Sequence, residues 1–234
     1  MDVSKKVPVV ILNGFLGSGK TTLFRSLLAQ SKKKAIAVSA IVNDMSELDV
    51  DGELLGNTDV VEDDNSILES IHSCVLSSKV GIEKLDQAIK NLLKNKIPGL
   101  IIIETSGSCH PMPLIEYFKE QTKVKLTGLF VLVDSLMLAH DFNYGERLIP
   151  TLQQNMKDGK RDTINLLVEQ ILFCSHLILT KTDRIDESKL ADIATYVQEI
   201  NPLASTHSVR FGKLTIESLF ELEDYNYFKV AKLF

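Results

Sequence analysis

The sequence predicts an α/β fold in which a mostly parallel sheet carries helices on both faces. Apolar runs of strand length alternate with helix-length segments along the whole chain. That order indicates βαβ units with right-handed crossovers. The chain has 234 residues, of which 44% are hydrophobic, and a single α/β domain often reaches ~200–250 residues. We therefore expect one domain over residues 1–234.

Five apolar runs predict the strands, and the segments between them predict the helices. The predicted strands are 7–12, 35–42, 100–103, 126–133 and 177–179. The predicted helices are 21–30, 82–95, 113–121, 166–174 and 187–199. The polar segment 144–162 is read either as a mobile cover or as a helix with a long surface loop, and the acidic stretch 56–66 as an exposed loop.

The segment after the first predicted strand has the spacing of a phosphate-binding loop: Gly, four residues, Gly, Lys and Thr. It joins a strand to a helix N-terminus, where unpaired backbone N–H groups and the helix dipole favour an anion. Lys20 would neutralise β- and γ-phosphate oxygens, and the Thr21 hydroxyl would face Mg²⁺. We therefore expect a P-loop NTPase fold that binds a nucleoside triphosphate. The predicted phosphate-binding residues are Gly14, Gly17, Ser18, Gly19, Lys20, Thr21 and Thr22.

The strand 100–103 ends in a carboxylate, Glu104, which is followed three residues later by Gly107. A carboxylate at the end of a neighbouring parallel strand is placed to hold Mg²⁺ or to orient the attacking water. Gly107 would let its N–H group approach the γ-phosphate. We predict that Lys20, Thr21 and Glu104 are catalytic, and that Thr21 and Glu104 hold Mg²⁺.

The sequence from Thr180 to Asp183 resembles the guanine-specificity motif Asn-Lys-x-Asp. The Asp183 carboxylate would accept hydrogen bonds from guanine N1–H and the 2-amino group, whereas adenine would leave that charge unpaired. The stem of Lys181 would lie across the base. Thr180 stands where Asn is usual, and we expect the loss of the side-chain amide that ties the base loop to the phosphate loop. GTP is favoured over ATP.

These motifs, together with the carboxylate-rich segment 41–52 and the stretch 169–171, closely resemble the CobW family of GTPases, relatives of UreG and HypB. The resemblance runs over nearly the whole chain. It implies a GTPase domain that hydrolyses GTP slowly and uses its nucleotide state to deliver a metal such as Zn²⁺ or Co²⁺ to a client. It assigns Asn43, Asp44 and Glu47 to the first switch, and Glu104 and Gly107 to the second.

The chain departs from this family in two places. Members typically carry Cys-x-Cys-Cys after the first switch, and here only Cys74 remains, with Leu76 and Ser77 at the other two positions. Many members also continue into a C-terminal domain, which we expect to be absent.

Thiolates are the soft ligands that make a zinc site tight, so Cys74 would need other ligands. A transition-metal site and a switch that uses Mg²⁺ alone both stay open. The candidate ligands beside Cys74 are Asp44, Glu47, His72, Cys109 and His110.

Composition limits the partners. The formal net charge of −5 provides no basic field for nucleic acid, and no apolar run approaches the ~20 residues that span a bilayer. We expect a cytoplasmic protein whose partners are GTP and a metal-requiring client, with a homodimer left open. Two other functions stay open: a nucleotide-gated regulatory module without metal delivery, and a P-loop small-molecule kinase whose lid would be the segment 144–162.

Overall fold

The computed structural model describes residues 6–44, 67–95, 97–208 and 214–228. Its strands are β1 (Val7–Gly14), β2 (Val38–Asp44), β3 (Leu68–His72), β4 (Leu100–Glu104), β5 (Val124–Asp134), β6 (His176–Thr180) and β7 (Ser205–Ser208). Within the described residues they form one parallel sheet in the order β3-β2-β4-β1-β5-β6-β7. The predicted α/β class with a parallel sheet is confirmed.

Helices of the described residues connect the strands on either side of the 45–66 gap. They are α1 (Lys20–Lys33), α2 (Lys79–Asn95), α3 (Pro111–Lys119), α4 (Ser135–Asp141), α5 (Leu148–Lys157), α6 (Thr163–Phe173) and α7 (Glu187–Ile200). All five predicted strands and all five predicted helices are confirmed in type, with ends that differ by three residues or fewer. The polar segment 144–162 contains α5, which agrees with its reading as a helix with a surface loop.

Alternate residues of each central strand pack on opposite faces of the sheet. In β1, Val9 and Ile11 face a core formed with α2 and α3, whereas Val10 and Leu12 face α1. The helices α4 to α7 form a third core against β5 and β6. Because the central strands are buried on both faces, their sequences are continuous apolar runs, and the predicted placement of helices on both faces is confirmed.

Strand pairing brings the predicted site residues to the carboxyl edge of the sheet. Leu12 in β1 pairs with Glu104 at the end of β4, and Asp134 at the end of β5 pairs with Thr180 at the end of β6. This edge is where open α/β sheets bind ligands.

Two further observations complete the fold. Tyr225 is buried in the core of α2 and α3, and its hydroxyl donates a hydrogen bond of 2.7 Å to the carbonyl of Phe173. None of the helices in the described ranges has both the length and the apolar character needed to cross a membrane. Glu47 and the predicted exposed loop 56–66 lie outside the described residues, as does the side chain of Asp44.

Candidate functional site

The phosphate loop connects β1 to α1 without a side-chain cap. Gly19, the residue before α1, has a φ of 94°, a left-handed conformation that favours glycine. The free N–H groups of the first turn of α1 and the positive end of its dipole face the loop. The first turn holds no acidic residue that would neutralise this positive end. The Ser18 hydroxyl is buried and lacks a hydrogen-bond partner in the described part of the chain. A bound phosphate would satisfy these donors.

Lys20 lies inside this loop and is only 7% exposed. Its Nζ donates to the carbonyls of Gly14 at 2.8 Å and Phe15 at 3.0 Å. Burial lowers the pKa of Lys20, and the nearby carboxylate of Glu104 acts in the opposite direction. A buried ammonium group gains most from an anionic ligand, because little water remains to screen the interaction.

Thr21 and Glu104 meet across the gap between α1 and β4. The Thr21 Oγ1 donates a hydrogen bond of 2.6 Å to Glu104 Oε1, and Glu104 is 5% exposed. A hydroxyl and a carboxylate are hard oxygen ligands of the kind that Mg²⁺ prefers. The three predicted catalytic residues are therefore placed together, whereas Thr22 follows as an exposed residue in the first turn of α1.

A cavity of ≈ 480 Å³, the phosphate-loop cavity, opens beside these residues. Gly107 packs so closely against the phosphate loop that an added Cβ would lie 2.8 Å from the backbone nitrogen of Leu16. The second-switch segment, residues 104–110, thus touches the phosphate loop directly. The cavity lining includes Lys20, Thr21, Asn43, Glu104, Ser106, Gly107, Thr163 and Leu166.

The predicted base loop also lies against the phosphate loop. The Thr180 hydroxyl is 2.9 Å from the Ser18 carbonyl, to which it donates, and 3.2 Å from the Val133 carbonyl. Thr180 lacks the side-chain amide of the usual Asn, as expected, but its hydroxyl still joins the base loop to the phosphate loop through the Ser18 carbonyl. Asp183 lies in the short turn Thr182–Arg184, and its side chain is 36% exposed.

Lys181, which has a φ of 55°, is held by the carboxylate of Asp134, the last residue of β5. Asp134 also caps α4, accepting hydrogen bonds from Leu136 N at 2.9 Å and Met137 N at 3.3 Å. Its other carboxylate oxygen pairs with the Lys181 ammonium group. One carboxylate thus fixes both the start of α4 and the lysine of the base loop.

A buried amide pair fastens α6 to the site. Gln170 is completely buried, and its Nε2 donates to Asn13 Oδ1 at 3.1 Å, to the Cys109 carbonyl at 3.2 Å and to the Gly107 carbonyl at 3.4 Å. Asn13 Oδ1 also accepts a 2.6 Å hydrogen bond from Gly14 N. The sequence-based site prediction missed both amides, although a glutamine on the apolar helix α6 is a usable signal.

The described residues do not bring the predicted transition-metal ligands together. No group of three or more His, Cys, Asp or Glu side chains suited to hold a metal occurs among them. Cys109 is completely buried, and burial raises its pKa to about 11, so it is a neutral thiol at physiological pH. His110 pairs instead with Glu169, at 2.9 Å.

The two residues that replace the family thiols have structural roles. Leu76 is wholly buried in the core of α2 and α3. Ser77 Oγ accepts a 3.1 Å hydrogen bond from His110 N. Cys74 is half-buried beside them.

Comparison with known protein families gives a match over most of the chain. A model described as the CobW/HypB/UreG nucleotide-binding domain matches residues 8–208. Zinc-regulated GTPase metalloprotein activator 1 of Dictyostelium discoideum is 32% identical over 226 residues, which cover 88% of this chain and 47% of that protein. Zinc chaperone CobW of Sinorhizobium sp is 33% identical over 196 residues, covering 79% of this chain and 53% of that protein. The chain spans about half the length of these curated relatives.

Solved structures resemble the fold at low sequence identity. Hydrogenase maturation factor HypB from Archaeoglobus fulgidus has a TM-score of 0.54 at 15% identity and covers 98% of this chain and 91% of its own. An LAO/AO transport system kinase has a TM-score of 0.55 at 10% identity, covering 100% of this chain and 62% of its own. These likenesses confirm the α/β P-loop fold and concern the fold alone.

Proposed function

Since the chain belongs to the CobW/HypB/UreG family of nucleotide-binding domains, we propose that it binds GTP, hydrolyses it slowly, and uses its nucleotide state in metal delivery to a client protein. The names of two relatives, a zinc-regulated GTPase and a zinc chaperone, favour zinc as the metal. Zinc would then be the cargo, and Mg²⁺ would accompany the nucleotide.

The contact between Thr21 and Glu104 is the observation that carries this proposal. Two oxygen ligands lie 2.6 Å apart at the mouth of a phosphate loop, next to the buried ammonium group of Lys20. One positive charge and two oxygen atoms of the kind that Mg²⁺ prefers thus lie beside the same cavity, which supports the proposal. Phosphoryl transfer depends on such fixed charges rather than on covalent chemistry.

Each residue would have a separate task in hydrolysis. Thr21 and Glu104 would hold Mg²⁺, which supplies charge neutralisation for the phosphates. Lys20 would stabilise the charge that develops on the β- and γ-oxygens, and the loop N–H groups would fix the phosphates in place. Because the sequence suggests no arginine finger, intrinsic turnover is expected to be slow.

Nucleotide choice is the first test of this proposal. GTP and GDP should stabilise the chain against thermal unfolding, whereas ATP at the same concentration should not. A ligand at 100 times its Kd contributes about 2.7 kcal/mol, which for a domain of this size raises the Tm by about 5–10 °C. Differential scanning fluorimetry with Mg²⁺ measures the shift, and a phosphate-release assay measures turnover.

Two variants identify the residues responsible. Lys20→Ala should abolish turnover and most of the stabilisation by GTP, because β- and γ-phosphate charge would be left uncompensated. Asp183→Ala should remove the preference for guanine. Equal stabilisation of the unmodified chain by ATP would contradict guanine specificity, and retained turnover in Lys20→Ala would remove that lysine from the mechanism.

The absence of a three-ligand cluster in the described residues favours a second candidate, a nucleotide-gated regulatory module without metal delivery. Zinc titration by calorimetry separates the two. For metal delivery, we expect a tight site whose affinity differs between the GTP-bound and GDP-bound forms, and we expect Cys74→Ser to weaken it. By linkage, zinc would change GTP affinity by the same factor.

The opposite result would favour the regulatory module. No tight zinc site in either nucleotide state, or a site that is indifferent to Cys74→Ser, would exclude delivery through Cys74 and leave GTP switching in place. Cys174→Ser is the matched control, since this thiol is buried in the third core, away from the second-switch segment.

A further inference from the structure

Asn43 connects three segments at the edge of the phosphate-loop cavity. It lies at the end of β2, is only 4% exposed, and lines the cavity. Its Nδ2 donates to the carbonyls of Cys74 at 2.8 Å and Ile71 at 3.1 Å. Its Oδ1 accepts from Leu76 N at 3.3 Å and Ser106 N at 3.4 Å. One amide thus bonds to the end of β3, the loop 73–78 and the second-switch segment.

The bonds to Oδ1 are longer than those to Nδ2. Backbone N–H groups usually lie ~2.9–3.0 Å from an acceptor, and here both Leu76 N and Ser106 N exceed that distance while sharing one oxygen. If Ser106 N moves toward or away from this oxygen, the hydrogen bond that Leu76 N makes to the same oxygen therefore weakens or strengthens. Ser106 itself lines the phosphate-loop cavity, where a bound nucleotide would contact it.

A second contact joins the same two segments. The Ser77 hydroxyl accepts a hydrogen bond from His110 N at 3.1 Å, so the loop 73–78 contacts the end of the second-switch segment directly and its Ser106 through Asn43. Leu76, between these contacts, is anchored in the core. The loop is therefore fixed at its centre, and it is joined to Asn43 on one side and to His110 on the other.

We propose that Asn43 is a positioning residue that couples the nucleotide site to the loop 73–78. A shift of the second-switch segment on nucleotide exchange changes the hydrogen bond from Ser106 to Asn43, and the shared amide passes that change to Cys74 and Leu76. The conformation around the Cys74 thiol thereby follows the nucleotide state. This inference rests on the proposed GTP binding and states how the nucleotide site is linked to the loop 73–78.

Hydrogen exchange measured by mass spectrometry tests the coupling. Peptides covering 73–78 and 104–110 are compared in the chain alone, with GDP, and with Mg²⁺ and guanylyl imidodiphosphate, which is not hydrolysed. In the unmodified chain both peptides should change their exchange rates with the nucleotide. In Asn43→Ala the response of 73–78 should fall about twofold to thirtyfold, a range typical of residues that carry coupling between sites. The response of 104–110 should remain, except for the part contributed by Ser106 N, which loses its acceptor.

Asn201 supplies the matched control. It is also a buried amide, 2% exposed, and it donates to three carbonyls and accepts from Leu203 N. Asn201→Ala removes a comparable set of hydrogen bonds away from the cavity and should leave both nucleotide responses unchanged. Asn43→Asp is the second variant should Asn43→Ala not fold. Its carboxylate fills the same volume but cannot donate to Cys74 or Ile71, so it should also weaken the response of 73–78.

The outcomes distinguish the two proposals. If 104–110 responds to nucleotide and 73–78 does not, or if both Asn43 variants keep the full response of 73–78, the coupling role is wrong while GTP binding stands. If neither peptide responds in the unmodified chain and no stabilisation by GTP is seen, the proposed function and the coupling fail together. If Asn201→Ala loses as much of the response of 73–78 as Asn43→Ala does, Asn43 only stabilises the fold and has no coupling role.

Discussion

At the scale of single residues, the base loop shows how one side chain can replace another. Thr180 stands where an asparagine is usual, yet its hydroxyl reaches the Ser18 carbonyl at 2.9 Å. Lys181 is held by Asp134, whose second oxygen caps α4. The geometry of the base loop therefore depends on a carboxylate outside the motif itself.

Asp134 offers a prediction in which two variants separate two roles. Asparagine caps a helix about as well as aspartate, so Asp134→Asn should keep the stability of α4 while losing the charge that holds Lys181. GDP affinity should fall about fivefold, because an ion pair with one partly exposed partner contributes roughly 1 kcal/mol. Asp134→Ala should show the same loss of affinity and an additional loss of about 1 kcal/mol in the free energy of unfolding.

Calorimetry with GDP and urea denaturation measure these two effects separately. Unchanged GDP affinity in Asp134→Asn would show that the ion pair does not support the base loop. An equal loss of stability in both variants would show that the charge, and not the cap, is what α4 requires.

The residues that sequence reasoning found are those whose spacing is local. Lys20 and Thr21 follow a glycine pattern, and Glu104 ends an apolar strand, so each could be assigned from its neighbours. Asn13 and Gln170 could not be assigned in this way, because they meet only when α6 packs over β1. The same holds for Asp134, the last residue of β5, and Lys181, which directly follows β6.

At the scale of elements, the central strands were predictable and the edge strands were not. β1, β4 and β5 are buried on both faces and read as continuous apolar runs. β3 and β7, at the two edges of the sheet, have the sequences LESIH and STHS. These sequences are too polar to form the apolar run by which a strand is predicted. Their strand conformation is decided by pairing with β2 and β6, and this long-range contact has no local signature.

The metal-ligand prediction is limited for a different reason. The loop 73–78 and the second-switch segment do lie together, as the prediction required, and Ser77 bonds to His110 N. Cys109, however, is buried in the core of α2 and α3, and burial raises its pKa to about 11. Sequence position alone cannot tell toward which side of a loop a side chain points. The closeness of the two segments could therefore be predicted, whereas the arrangement of the candidate metal ligands could not.

At the scale of the whole molecule, the order of the sheet gathers the candidate site. β1 lies between β4 and β5, so the phosphate loop, Glu104 and Asp134 converge at one edge. The rest of the molecule carries features with no link to this site. One of them is a stack of three rings, in which the His176 ring centroid lies 4.4 Å from that of Phe130 and 5.7 Å from that of His207.

This stack predicts how the stability of the whole domain depends on pH. Burial, with a smaller contribution from His207, lowers the pKa of His176 to about 4, whereas an unfolded histidine has a pKa of about 6.5. Between these values the unfolded chain binds a proton that the folded chain does not, so stability falls as the pH drops from about 6.5 to 4. Allowing for the partial exposure of His176, we expect its contribution to this loss to be roughly 1–2 kcal/mol.

His176→Phe, which keeps an aromatic ring in the stack, should reduce the loss by that amount, whereas the exposed control His140→Gln should not. Urea denaturation at pH 7.5 and 4.5 measures the difference, and identical losses in all three proteins would show that His176 is protonated in the folded state.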